Sequence, residues 1–295
     1  MRYRIFGLLL LIVTFIACNQ RTSEYHEYKD IDSAIESSNI PIPSKNIVYY
    51  ISSPQLTNIY LKKLGVYPEK SLINSVNNNE KYTTSLKKAL NIGVYSVDLG
   101  YINLYRTDEN TEQYLNCIVN LAKDIGMGLI FNKETIEKLL SYKEKHDSLS
   151  ILLTDLFAKA DTLLKNNSRS NIGAYIVAGA WIESFYLLIS AYNDNKNDKL
   201  LSYIYQQKFV LDNIIKILSV YYHSSKEFDM FFESLVEIAY NFDVVDFRYI
   251  YRNPYIKESK SGLIIIDNEC KIVGSDEGLK NIIDITIDLR EKIIS

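Results

Sequence analysis

Two acidic residues stand where acids are rare. In "ALNIGVYSVDLGY" (Ala89–Tyr101) and "AGAWIESFYL" (Ala178–Leu187), Asp98 and Glu183 interrupt runs that are otherwise nearly free of charge. At about 100° per residue, Asp98 lies near Tyr95, Ile102 and Tyr105 on the flank of an apolar helical face. Lys88, Ser96, Asn103 and Arg106 take the polar side. A carboxylate placed there is at least partly buried, and a buried charge needs partners. Two such acids facing one cavity could work as an acid–base pair or as a ligand clamp, with Tyr95, Tyr105 and Trp181 beside them. A carboxylate-pair hydrolase would need the carboxyls about 5–10 Å apart across a cleft. The structural alternative is that each acid accepts hydrogen bonds from tyrosine hydroxyls, a helix end, or a nearby Lys or Arg.

Other chemistries find little support. His26, His146 and His223 are scattered, none has a second His at i+4, and "HExxH" does not occur, so no metal is expected. "GxSxG" and Gly-rich phosphate loops are absent, and no cofactor is expected. "GMG" (Gly126–Gly128) is too short for a phosphate loop and follows a helix rather than a strand. "DNE" (Asp267–Glu269) lacks the Gly and terminal Glu of a calcium loop and reads as a turn.

The elements that must position these residues are mostly helices. Ser53-Pro54 supplies an N-cap and a Pro at N1, and Gly65 a stop. A second helix is expected over about 80–106, with Leu86, Leu90, Val94, Val97, Tyr101 and Leu104 on one face. After the polar turn "RTDENTE" a partner helix follows over about 110–125. Residues 133–165 repeat the helical pattern, with "SYKEKHDS" as an exposed stretch or a break. Residues 172–192 are apolar on nearly every side. Their length would suit a membrane span, but Glu183 at mid-run favours a central helix enclosed by others. Helices are expected at about 198–222 and 225–241, then two short strands, "GLIII" and "CKIVG", as a β-hairpin over about 261–274. Ser275 caps a final helix, about 276–294, whose apolar face holds Leu279, Ile282, Ile283, Thr286, Leu289 and Ile293. The fold class is thus mostly α, a multi-helix bundle or repeat-like stacked helical hairpins with one short β-hairpin near the C-terminus. Gly93, Tyr95 and Asp98 in one hairpin parallel Gly179, Trp181 and Glu183 in another. Pairs arranged this way resemble tetratricopeptide-type repeats in architecture, though that repeat's closing Pro and its small residue in the second helix are missing.

The N-terminus bears on location. Arg2 and Arg4 precede an apolar run of about 13 residues ending in "FIAC", short of the roughly 20 a spanning helix needs. That seam resembles the lipobox of bacterial lipoproteins, with Phe15 in place of the usual Leu. The resemblance implies a signal peptide over 1–17, cleavage before Cys18, lipidation of Cys18, and a tether over 18–45 leading to one helical domain over 46–295. Asn19 and Gln20 do not suggest retention at an inner membrane, so the outer membrane is the expected site. The Asp98 and Glu183 motifs also resemble those of a group of uncharacterised helical lipoproteins of Bacteroidota, a likeness that implies no activity.

Of 295 residues, the net charge is −3, and removing Arg2 and Arg4 leaves 31 basic against 36 acidic side chains. No basic face is implied, so nucleic acid is not an expected partner. The 24 Tyr could stack on sugars, but Tyr is high together with Asn, Ile and Lys, as in a composition bias. Besides Cys18, Cys117 and Cys270 do not make a disulfide framework, though export would permit a bridge between them. The expectation is a lipid-anchored envelope protein, non-catalytic, serving as an interaction or scaffold module for a protein partner. The alternative is a small-solute or glycan binder with its pocket around Asp98, Glu183 and Trp181.

Overall fold

The computed structural model describes residues 54–295, except 68, 106–109, 143–144, 167, 251–256, 259–263 and 266–268. The expected signal peptide, Cys18 and the tether lie outside the described residues. Within them are nine α-helices: α1 Pro54–Lys63, α2 Ser85–Tyr105, α3 Thr111–Asp124, α4 Lys133–Ser141, α5 His146–Asn166, α6 Ser170–Asp194, α7 Asp198–Ser219, α8 Lys226–Asn241 and α9 Asp276–Ile294. The mostly α class is as expected.

Local chemistry explains most of the boundaries. The chain leaves α1 through Gly65 at φ +76°, and leaves α3 through Gly126 at φ +78°, both left-handed positions that suit glycine. The side chains of Asn132, Asn197, Ser225 and Ser275 accept N–H groups at the starts of α4, α7, α8 and α9. The helix expected from about residue 80 starts at Ser85 instead. Val76–Lys81 forms a 3-10 turn, and the Thr84 hydroxyl caps α2 by accepting the Lys87 N–H at 3.1 Å. The stretch left open as exposed or broken is a break, with α4 ending at Ser141 and α5 starting at His146.

Helices α2 and α6 form the centre. They touch backbone to backbone, because neither Gly93 nor Gly179 has a side chain. A Cβ on Gly93 would lie 2.5 Å from the Ala180 nitrogen, and one on Gly179 would lie 2.7 Å from the Leu90 carbonyl carbon. The sequence pairing of these two glycine motifs is therefore a physical contact. Around this seam, α3 packs on α2, α7 on α6, and α9 on both α8 and α6. Helix α6 is long and apolar enough to cross a membrane, yet 78% of its apolar window is buried by other helices. Its surroundings are protein on most sides.

An antiparallel ribbon lies near the C-terminus. Its main pairing joins β1 Asp246–Ile250 to β4 Glu269–Val273, with Phe247 opposite Ile272. Beyond it, β2 Lys257–Glu258 pairs with β3 Ile264–Ile265. A hairpin is present as expected, but its strands are matched differently. The partner of "CKIVG" is 246–250, read from sequence as irregular, and Glu269 is in a strand rather than in the "DNE" turn. Tertiary packing explains the choice. The ring of Phe247 sits 4.7 Å from that of Phe209 on α7, which anchors β1 to the helices.

Candidate functional site

The site is built on the α2–α6 seam. Helix α2 carries Asp98 and α6 carries Glu183, both fully buried. The close approach at Gly93 and Gly179 sets the two acid-bearing helices backbone to backbone, and the segment holding Leu72 and Asn74 binds Arg290 and Asp98, which places Asp98 beside the Glu183–Arg290 pair. Helix α9 brings a third group. Arg290 Nε and Nη2 donate to the two oxygens of Glu183, each at 3.0 Å, a bidentate fork with both side chains buried. Arg290 Nη2 also donates to the Leu72 carbonyl at 2.8 Å, Nη1 to Glu291 at 3.2 Å, and the guanidinium lies 4.3 Å from the centre of the Tyr186 ring.

Asp98 is less well provided for. Its Oδ2 accepts the Asn74 backbone N–H at 3.1 Å, and its Oδ1 has no donor. Burial holds its carboxyl well above the usual carboxylate range, and the Glu183 charge adds to this, against Arg290 and the Asn74 N–H. Asn74 is a fully buried hub. Its Nδ2 donates to Tyr82 and Asn91, its Oδ1 accepts from Asn78, and its carbonyl accepts from Tyr114.

The tyrosines nearby fasten the segment between α1 and α2. Tyr95 donates to Ser75 O at 2.9 Å, Tyr105 to Val66 O at 2.8 Å, and Tyr114 to Asn74 O at 2.7 Å. The Tyr101 hydroxyl accepts the Glu69 N–H at 3.0 Å. Burial pushes the Tyr105 phenol up to about 12 and that of Tyr95 higher still, so both stay protonated donors.

Both acids lie in the core, Asp98 on the Asn74 N–H and Glu183 on Arg290. Tyr95 belongs to the same layer. Tyr105 serves the Val66 carbonyl, while Trp181 donates to Gln207 at 3.1 Å and stacks on Phe185. The alternative of a pocket around Asp98, Glu183 and Trp181 meets three buried side chains, each with an internal partner. A cleft of about 460 Å³ lies elsewhere, lined by residues that include Val66, Tyr67, Glu69, Ala191 and Asp194. Cys117 is buried and Cys270 exposed, and both are free thiols.

Two members were missed in the sequence. Arg290 had a signal. It follows Ile283 by seven residues and Thr286 by four, a charge on the buried stripe of α9. Asn74 had none, since "NSVNNNE" reads as plain loop. No protein-family model, curated protein or solved structure matches this chain.

Proposed function

We propose that this chain is a lipid-anchored envelope protein whose helical domain acts as a non-catalytic interaction or scaffold module. The observation that carries the second half is the Glu183–Arg290 fork. Of the two acids singled out in the sequence, Glu183 has both oxygens occupied by one buried guanidinium. A catalytic or ligand-clamping acid must reach a reacting or bound group, and this one reaches the final helix instead. The anchor half rests on the "FIAC" seam with its basic start and short apolar run. In this reading Cys18 fixes the chain to the membrane, by expectation the outer one, and the domain meets a protein partner there.

Two measurements test it. Cells fed an alkyne fatty acid should label the chain, and Cys18→Ser should abolish both the label and membrane fractionation; an unlabelled wild-type chain defeats the anchor. Photo-crosslinking groups placed at the exposed Tyr67, Ile151 and Met230 should give a discrete adduct in intact cells from at least one face. Faces that all stay free of adducts, together with a turnover lost in Glu183→Gln, would replace the scaffold reading with an enzymatic one.

A further inference from the structure

The core acids pose a problem of donors. Ionised carboxylate oxygens only accept hydrogen bonds. Both Glu183 oxygens are taken by Arg290, and Asp98 Oδ2 by the Asn74 N–H. Asp98 Oδ1 is buried with no donor, and its Asn74 partner lies two residues from Leu72, which holds Arg290, so Asp98 sits beside the Glu183–Arg290 fork. Two buried carboxylates beside one cation repel each other unless one of them carries a proton. A proton on Asp98 supplies the missing donor and leaves one negative charge facing one cation.

The other groups around Asp98 do not supply that donor. From its own helix, Tyr95 donates to Ser75 O, and the Tyr101 hydroxyl, which accepts the Glu69 N–H, does not reach Asp98 Oδ1. From the segment before α2, Tyr82 donates to Ile294 O at 3.3 Å; from α3, Tyr114 donates to Asn74 O. Helix α1 meets α2 through the uncharged Asn58, which donates to Val97 O. On α6 and α9, Tyr186 and Glu291 are engaged with Arg290. Arg290 is the cation of the group.

We propose that Asp98 keeps its proton in the folded protein beside the Glu183–Arg290 fork, and that this proton fastens the C-terminal helix, making α9 a proton-dependent latch. The end of α9 is pinned to α2 by Asn91 on Ile293 O at 2.9 Å, and by Lys87 on Ser295 O at 3.1 Å. One turn earlier, the Arg290 fork ties it to α6. When the proton leaves, the Asp98 charge repels Glu183 and competes for Arg290, and the fork is the contact that weakens. The sign follows from linkage. Asp98 is raised in the folded state relative to the unfolded one, so the folded chain keeps a proton that the unfolded chain has released. The stability that Asp98 contributes is therefore fully present below the ordinary Asp value and falls as pH rises above it, until the folded-state carboxyl itself ionises. Within that window the unfolding constant grows by up to about tenfold per pH unit.

The test uses the full chain in mild detergent with its Asp side-chain carboxyls isotopically labelled. Infrared spectroscopy at neutral pH should show the C=O stretch of a protonated aspartic acid in the wild type. Asp98→Asn should remove the band, and Asp212→Asn should keep it, which matters because burial also raises Asp212. Absence of the band in the wild type, or its survival in Asp98→Asn, overturns the proton on Asp98. If Asp98→Asn fails to fold, loss of the band in Asp212→Asn still overturns it, and persistence there supports it. Amide exchange over the last turn of α9, corrected for intrinsic rates, should accelerate relative to α7 from about pH 6 to about pH 9 in the wild type. Exchange in α9 that only tracks α7 overturns the latch.

Discussion

Replacing Gly179 by Ala tests the central seam. A Cβ there would sit 2.7 Å from the Leu90 carbonyl carbon and 2.8 Å from its Cα. Ordinary carbon contacts are about 3.5–4.0 Å, so the helices must part by roughly 1 Å. The obstacle is backbone inside a helix and cannot swing aside. Overpacking of this kind costs about 1–3 kcal/mol, and the rigid obstacle puts it at the upper end. The better helix propensity of Ala returns up to about 1 kcal/mol. The net is a loss of about 2 kcal/mol, or a melting temperature lower by about 4–8 °C for a domain of this size. The assay is thermal unfolding followed by helical circular dichroism. Gly128→Ala is the control, because a Cβ there meets only the Lys123 side chain, at 3.8 Å, and its φ is not positive. It should melt within about 2 °C of the wild type. If Gly179→Ala melts at or above the wild type while Gly128→Ala behaves as stated, the backbone contact does not limit the packing and the argument fails.

The remaining expectations concern the fork and the thiols. Arg290→Met strands the Glu183 charge in the core and should cost about 3–5 kcal/mol in urea unfolding, whereas the Glu183→Leu, Arg290→Met pair should recover most of that; a double variant as unstable as the single one would show that shape, not charge, sets the cost. Burial pushes the Cys117 thiol up to about 11, and Cys270 is exposed, so a thiol reagent near pH 8 should modify Cys270 quickly and Cys117 only on unfolding. Equal rates for the two would refute this.

Helix periodicity, the Ser275 cap and the Gly65 stop were legible because each depends on residues within one or two turns, whereas "SYKEKHDS" fitted an exposed stretch as well as the break that formed. The acid at position 98 or 183 was also visible as a charge inside an apolar pattern, and that pattern alone implied a buried partner. Which partner each acid found was not visible. Arg290 lies 107 residues from Glu183, and Asn74 reaches Asp98 through a backbone N–H, which any residue type could supply. The ribbon shows the same limit. "DNE" has the chemistry of a turn, yet packing of Phe247 on Phe209 selected β1 as the partner of β4. Sequence determined the helices and the two small residues that let α2 and α6 touch. Only the tertiary structure decided that this contact would seal both acids into the core. The reason is that hydrogen bonds and ion pairs depend on distance in space, while caps, stops and apolar stripes depend on distance along the chain.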